Sequence, residues 1–265
     1  MPYSHIQRAH LTFGSLLLVV LASTPTSATA ATTNEGTAYR LDDGEAAYRE
    51  IHMLYESGGK PARLVLYRCM DGSAFARRIV VERSGSATPD FDFIDGRTGY
   101  REGVRTTSRG REVYWQKSGT DAEINKTLDL PANAVIDAGF DTMIRTQWSQ
   151  LASEAGISAK FLLPSALRFL KVHIDRVKTK HLVGLTHLRM KLDTWYGFAA
   201  PATELDYRSS DRRLLRFKGI GSIRDVLGRN LAVRIEFPGG LQGRQASASE
   251  IAAAQRLSLT GRCGA

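Results

Sequence analysis

From residue 46 to residue 237 the chain alternates apolar and polar side chains with a period of two, in short runs broken by glycine, aspartate, serine and proline. A period of two sends successive side chains to opposite faces of an extended strand, so one face is buried while the other stays wet. "ARLVLYRC", "AFARRIVVE", "DFDFID" and "REVYWQK" are such runs, with "SGGKP", "MDGS", "RSGSATP", "GRTG" and "SRG" as breaks around them. The spacing is that of an antiparallel meander. Farther on, Leu188, Met190 and Leu192 alternate with His187, Arg189 and Lys191, and Leu205 and Tyr207 with Glu204, Asp206 and Arg208. The stretch "LLRFKGIGSIRDVLGRNLAVRIEF", residues 214–237, continues the pattern. Its glycines lack the spacing of a dinucleotide fingerprint, because Arg224 stands where the third glycine belongs. Gly219 and Gly221 are therefore expected to mark a bulge or a close backbone approach, with "DVLGR" as the hairpin turn.

Two segments depart from the strand pattern. Phe140, Met143, Ile144, Trp148, Leu151, Ala152 and Ala155 recur at offsets of three and four, which predicts an amphipathic helix over 138–156 with Asp137 as N-cap and Gly156 as stop. In "SASEIAAAQRL" an S-x-x-E box at Ser247 and Glu250 predicts a short C-terminal helix. Between them, Leu167 and Phe169 occupy one parity and Leu170, Val172 and Ile174 the other, so a bulge near residues 169 and 170 is expected. The organisation read from these features is a leader at 1–30, a flexible segment at 31–45, one β-rich domain at 46–237, and a tail at 238–265 carrying the short helix.

Residues 1–30 hold Arg8, an apolar run from Leu11 to Ala22 and small residues ending in Ala28-Thr29-Ala30. This is the pattern of a secretory signal peptide cleaved near Ala30, so the expected location is periplasmic, with secretion as the alternative. The chain has no later run of the ~20 apolar residues needed to span a bilayer, so no transmembrane segment is expected. With 36 basic residues against 27 acidic ones the formal net charge is +9. An exported protein does not meet chromosomal DNA, so the excess reads first as an ordinary solvated surface and otherwise as a site for lipid phosphates, lipopolysaccharide or cell-wall polymers rather than nucleic acid. Cys69 and Cys263 are the only cysteines. In an oxidising compartment they can form one disulfide, while two unpaired thiols remain the other reading.

Signatures of chemistry are sparse. No G-x-S-x-G elbow occurs, and "SGGK" at residues 57–60 suits a turn rather than a helix aiming serine and lysine together. His52, His173, His181 and His187 belong to no H-E-x-x-H helix, and the cysteines lack C-x-x-C spacing, so neither a metal nor a cofactor is expected. "DFDFIDG" places its third carboxylate out of EF-hand register, with Arg101 where the glutamate belongs, and reads as a strand with phenylalanines inward. His173 and Asp175 share one strand face and can form an acid/base pair, but the sequence names no nucleophilic partner, and a solvated face is the preferred reading. Between residues 168 and 191, Arg168, Lys171, Arg176, Lys178, Lys180, Arg189 and Lys191 face one acid, Asp175. Such a stripe receives phosphate or carboxylate groups, or else protects strand edges from aggregation.

Through "YRCMDGSAFARR", "VIDAGFDTMIRTQW" and "RRLLRFKGIG" the chain resembles an uncharacterised family of exported bacterial proteins of unknown function. Its order of elements is also similar to the LolA-like periplasmic lipoprotein carriers, where a curved antiparallel sheet wraps helices around an apolar cavity. The expected fold is thus mainly β (α+β), a curved antiparallel sheet or half-barrel with one central amphipathic helix and a short C-terminal helix. The expected role is non-enzymatic binding of an apolar or amphiphilic ligand, lipid or acyl chain, with Phe140, Ile144, Trp148 and Leu151 lining the site and Lys178, Lys180 and Arg189 at its mouth. A structural or interaction protein of the cell envelope, with a closed core and no ligand, is the alternative. An envelope protein is then the expected partner.

Overall fold

The computed structural model describes residues 1, 31–83, 85–152, 155–178, 183–193, 201–238 and 243–263. The leader expected at 1–30 therefore lies almost wholly outside the described residues. The meander forms as the alternation requires. Its first half comprises β1 (Ala31–Arg40), β2 (Ala46–Ser57), β3 (Lys60–Arg68), β4 (Ala74–Val81), β5 (Asp90–Asp95), β6 (Tyr100–Thr107), β7 (Gly110–Gln116) and β8 (Ile124–Thr127). After β9 (Ala134–Val135) and helix α1 (Gly139–Thr146), the second half follows as β10 (Ile157–Leu163), β11 (Arg168–Val177), β12 (Leu185–Leu192), β13 (Thr203–Arg208), β14 (Arg213–Arg224) and β15 (Asn230–Glu236). The short strand β16 (Arg244–Ala246) and helix α2 (Ala248–Arg256) end the chain.

All strands belong to one sheet, ordered β8-β7-β6-β5-β4-β3-β2-β1-β15-β14-β13-β12-β11-β10-β9, with β16 paired to β1. Every pairing is antiparallel except β9 with β10. The protein is thus mainly β, α+β in class, with a large open curved sheet. Its seam is β1, which joins the halves by pairing β2 on one side and β15 on the other. Residues 31–40, part of the segment 31–45 read from composition as flexible, are therefore a central strand. Polar "ATTNEGT" does this because ladder hydrogen bonds use the backbone, and only Ala31, Gly36 and Ala38 need to be buried.

One core runs across the inner face of both halves. Tyr48, Tyr67, Phe75, Phe93 and Val113 from the first half meet Ile223, Val233 and Ile235 from the second, together with Leu162 of β10. A second cluster lies under α1, where Met143, Ile144 and Leu151 pack on Ile157, Val172, Ile174, Leu188, Leu205 and Tyr207. The third lies on the opposite face of β2–β4, covered by Ile251 and Ala254 of α2. The capping box of α2 is in place, Ser247 accepting from the Glu250 N–H while Glu250 accepts from the Ser247 N–H.

Three local expectations need correction. Helix α1 ends at Thr146, ten residues before Gly156, and among the described residues that follow it a 3-10 turn forms over Gln150–Ala152. The Thr146 hydroxyl donates to the carbonyls of Thr142 and Met143, which competes with the helical ladder at its last turn. Asp137 is not the N-cap: Ala138 holds that position without a side-chain cap. The Asp137 carboxylate instead pairs with Arg78 of β4 at 2.6 Å, both side chains 11% exposed, with the guanidinium 5.0 Å from the centre of the Phe93 ring. Finally, β10–β11 and β11–β12 run in register without the expected bulge at 169 and 170. The apolar phase changes because Leu162 and Phe169 pack into the first core while Val172 and Ile174 pack under α1, so this end of the hairpin is covered on both faces. The bulge falls instead in β14, where the register with β15 shifts between Ile220 and Arg224. A Cβ on Gly219 would lie 2.8 Å from Thr203 Oγ1, which explains the bare backbone there.

Candidate functional site

The face of β10–β12 turned away from α1 carries the densest arrangement of reactive side chains. Its geometry follows from the hairpin: the turn after Leu163 sets Ser158 of β10 directly opposite His173 of β11, and His173 opposite Lys191 of β12. Ile157, Ala159, Val172 and Ile174 point the other way into the α1 core, so the intervening Ser158, His173 and Asp175 emerge on the outside. Ser158 Oγ lies 3.1 Å from His173 Nδ1, and His173 Nε2 lies 2.9 Å from Asp175 Oδ1. A carboxylate only accepts, so the neutral imidazole donates its Nε2–H to Asp175 and offers the Nδ1 lone pair to the serine hydroxyl. Gly156 holds the pair in place. Its φ is +61°, and a Cβ there would stand 2.9 Å from both His173 Nε2 and Asp175 Oδ1.

Three lysines surround this chain. Lys160 sits two residues beyond Ser158 on the same face, directly opposite Lys171, and Lys191 stands opposite His173. Among the described residues none of the three makes an ion pair. Like charges directly across a ladder, as at Lys160 and Lys171, are destabilising, so the trio is a patch of uncompensated positive charge.

Farther along the same face the arrangement is different. One cross-strand row runs Asp175, Arg189, Glu204, Lys218, Arg234 and the next runs His187, Asp206, Arg216, Glu236. His187 Nδ1 and Arg216 Nε each lie 2.6 Å from an Asp206 oxygen, Lys218 pairs with Glu204 at 3.3 Å, and Arg234 pairs with Glu236 at 2.7 Å. Burial acts to raise the Asp206 carboxyl, but hydrogen bonds from Arg216 and His187 outweigh it and leave the group below its usual range. Arg189 makes no ion pair of its own among the described residues, but Asp175 and Glu204 flank it across the strands, in a ladder that interleaves acids with bases. The linear count of the basic stripe overlooked it because the acids come from β13, outside the run.

The other predicted site residues are scattered. Ile144 is fully buried and Leu151 nearly so, while Phe140 and Trp148 are partly buried at the rim of the same cluster. Trp148 packs edge-on against Tyr207 with ring centres 5.8 Å apart, and Arg212 lies over it at 5.7 Å. The α1 stripe is embedded in side chains of β9–β14, on the face opposite Arg189, so the structure does not set Arg189 at the mouth of an α1 site. Lys178 follows the end of β11 and is exposed; Lys180 lies outside the described residues. Cys69 and Cys263 are joined in a disulfide, with Cα atoms 4.9 Å apart. Beside it is a cleft of about 270 Å³ lined by Arg40, Glu45, Cys69, Met70, Asp71 and Cys263, remote from α1 in its lining. In "DFDFIDG" each carboxylate meets an arginine: Asp90 with Arg111, Asp92 with Arg101 and Asp95 with Arg97.

Sequence reasoning named His173, Asp175, Lys171 and Lys191 but missed Ser158 and Lys160. A signal existed: counting back from the Pro164 turn pairs residue 158 with 173 and residue 160 with 171. Among the described residues no group of three His, Cys, Asp or Glu side chains is placed to hold a metal, and no helix is long and apolar enough to cross a membrane. The fold and this face define a mainly β, α+β protein with an open curved sheet that carries a polar relay and a lysine patch on its outside. No protein-family model matches the chain, and comparison with curated proteins returns no match.

Proposed function

We propose that the chain is an exported, disulfide-closed binding protein that takes an anionic group, phosphate or carboxylate, on the outer face of β10–β12. The observation that carries this reading is the trio Lys160, Lys171 and Lys191, which lie together on adjacent strands and make no ion pair among the described residues, whereas the rows beside them on β12–β15 interleave basic with acidic side chains. Export is supported by the Arg8, Leu11–Ala22 and Ala28-Thr29-Ala30 pattern, and by a disulfide that an oxidising compartment sustains. The ligand is placed on this face rather than under α1 because side chains already fill the concave side there.

The test is co-sedimentation of the mature protein with phosphatidylglycerol and phosphatidylcholine vesicles, with soluble polyphosphate as competitor. A lysine near an anionic surface contributes about 1 kcal/mol, so replacing all three by glutamine should weaken binding by roughly a hundredfold, whereas Arg189→Gln, flanked by Asp175 and Glu204, should change little. Retention of polyphosphate binding without vesicle binding would identify a soluble anion as the ligand. Equal affinity for both vesicle types, with no polyphosphate binding, would overturn the proposal. N-terminal sequencing of exported material should begin at Ala31.

A further inference from the structure

We infer that Ser158 is an acyl-accepting nucleophile, activated by His173 as base and positioned through Asp175, and that it acts on esters bearing a carboxylate or phosphate. The inference rests on the anion site above only for its choice of substrate. Three features distinguish the arrangement from a solvated serine. First, the hydrogen-bonded chain is continuous, at 3.1 Å from Ser158 Oγ to His173 Nδ1 and 2.9 Å from His173 Nε2 to Asp175 Oδ1. That is the nucleophile, base and orienter set of a serine hydrolase with the two ring nitrogens exchanged. Second, the parts stand on paired strands and against Gly156 rather than on free loops, so the relay is held before any substrate arrives. Third, Ser158 is exposed and shares its face with the unpaired Lys160, Lys171 and Lys191, whose ammonium groups attract an anionic substrate to it.

The chemistry balances within the chain and its substrate. Ser158 Oγ attacks the ester carbonyl carbon while His173 Nδ1 takes the hydroxyl proton, and the imidazolium is stabilised by Asp175. Collapse of the tetrahedral adduct breaks the bond to the leaving alcohol, which receives the proton from His173, and the acyl group remains on Ser158. Water, deprotonated by His173, then releases the acid and restores the serine.

The experiment uses the full mature protein, the mono-p-nitrophenyl ester of succinic acid as anionic probe, p-nitrophenyl acetate as neutral probe, and peptide mapping of the acylated protein. Acyl transfer to Ser158 is expected with both, faster with the anionic ester. Ser158→Ala should abolish it, and His173→Gln should slow it by about a hundredfold. Asp175→Asn should slow it with recovery in Asp175→Glu, a rescue that a merely structural role would not produce. Urea unfolding of each variant shows that the fold persists. Replacing the three lysines by alanine should erase only the preference for the anionic ester, so failure of the anion site and failure of the nucleophile are read separately. Acylation of Ser158 no faster than that of exposed Ser209, or unchanged in His173→Gln, would overturn the inference.

Discussion

Asp206 shows how one residue can decide the character of a surface. Its side chain is 7% exposed, and it holds both His187 and Arg216 at 2.6 Å. Removing it leaves Arg216 and His187 without their shared acceptor, so Asp206→Asn should cost about 2 kcal/mol at neutral pH. The folded carboxyl lies below its usual range, so its contribution is complete above the unfolded value near ~3.9 and is lost as pH falls through the folded one. Urea midpoints of wild type and Asp206→Asn should therefore differ by a steady amount from neutrality down to about pH 4 and converge below it. A gap that persists into stronger acid would mean that the network is held by packing rather than charge. The same residue explains why the basic stripe in the sequence is only partly a basic surface: Asp206 pairs with Arg216 from β13 and Glu204 stands across from Arg189, whereas Lys160, Lys171 and Lys191 make no ion pair among the described residues.

At the scale of elements, α1 is an eight-residue helix that depends on its packing. A helix this short is marginal in water, so it forms because Met143 and Ile144 are buried against β10–β13. Ile144→Ala should cost about 2–5 kcal/mol, measured by denaturant unfolding, with the upper part of that range if the site cannot collapse. A loss below about 1 kcal/mol would mean that α1 can lift off and open the concave face, which would return the ligand to the inner side. The periodicity of Phe140, Ile144, Trp148 and Leu151 was visible in the sequence, but the helix end was not. Residues after Thr146 keep the apolar spacing because a 3-10 turn on the same core selects the same face. In the β10–β11 hairpin, likewise, the phase slip at residues 169 and 170 was legible. Its cause was not, because it depends on the first half of the sheet covering Leu162 and Phe169.

For the whole molecule, the disulfide between Cys69 and Cys263 closes a loop spanning 194 positions. It ties the tail to the β3–β4 turn, where the Gly261 N–H also donates to the Ala74 carbonyl at 2.7 Å. Chain entropy places the stabilisation from such a loop at about 5 kcal/mol as an upper figure. Reduction, or Cys69→Ala with Cys263→Ala, should lower the urea midpoint accordingly and expose the tail to proteolysis first, because the tail otherwise rests on the modest apolar surface of Ile251, Ala254 and Leu259. An unchanged midpoint after complete reduction would show that α2 and the sheet hold the tail unaided.

By itself the sequence determined what depends on near neighbours: strand alternation, turns built on glycine and aspartate, the capping box of α2, and the strand face that His173 shares with Asp175. These are local because side-chain direction repeats every two residues in a strand and capping acts within one helical turn. Only the tertiary structure decided what depends on which strands lie side by side. Polar residues 31–40 became the seam of the sheet, since backbone pairing does not consult side-chain polarity. Asp137 left the helix for Arg78, a partner in β4. Ser158 reached His173, and Arg189 came to stand between Asp175 and Glu204, through registers that a linear reading does not contain. Charge and hydrogen bonding act through space at a few ångströms, and the order of strands in the sheet sets that distance.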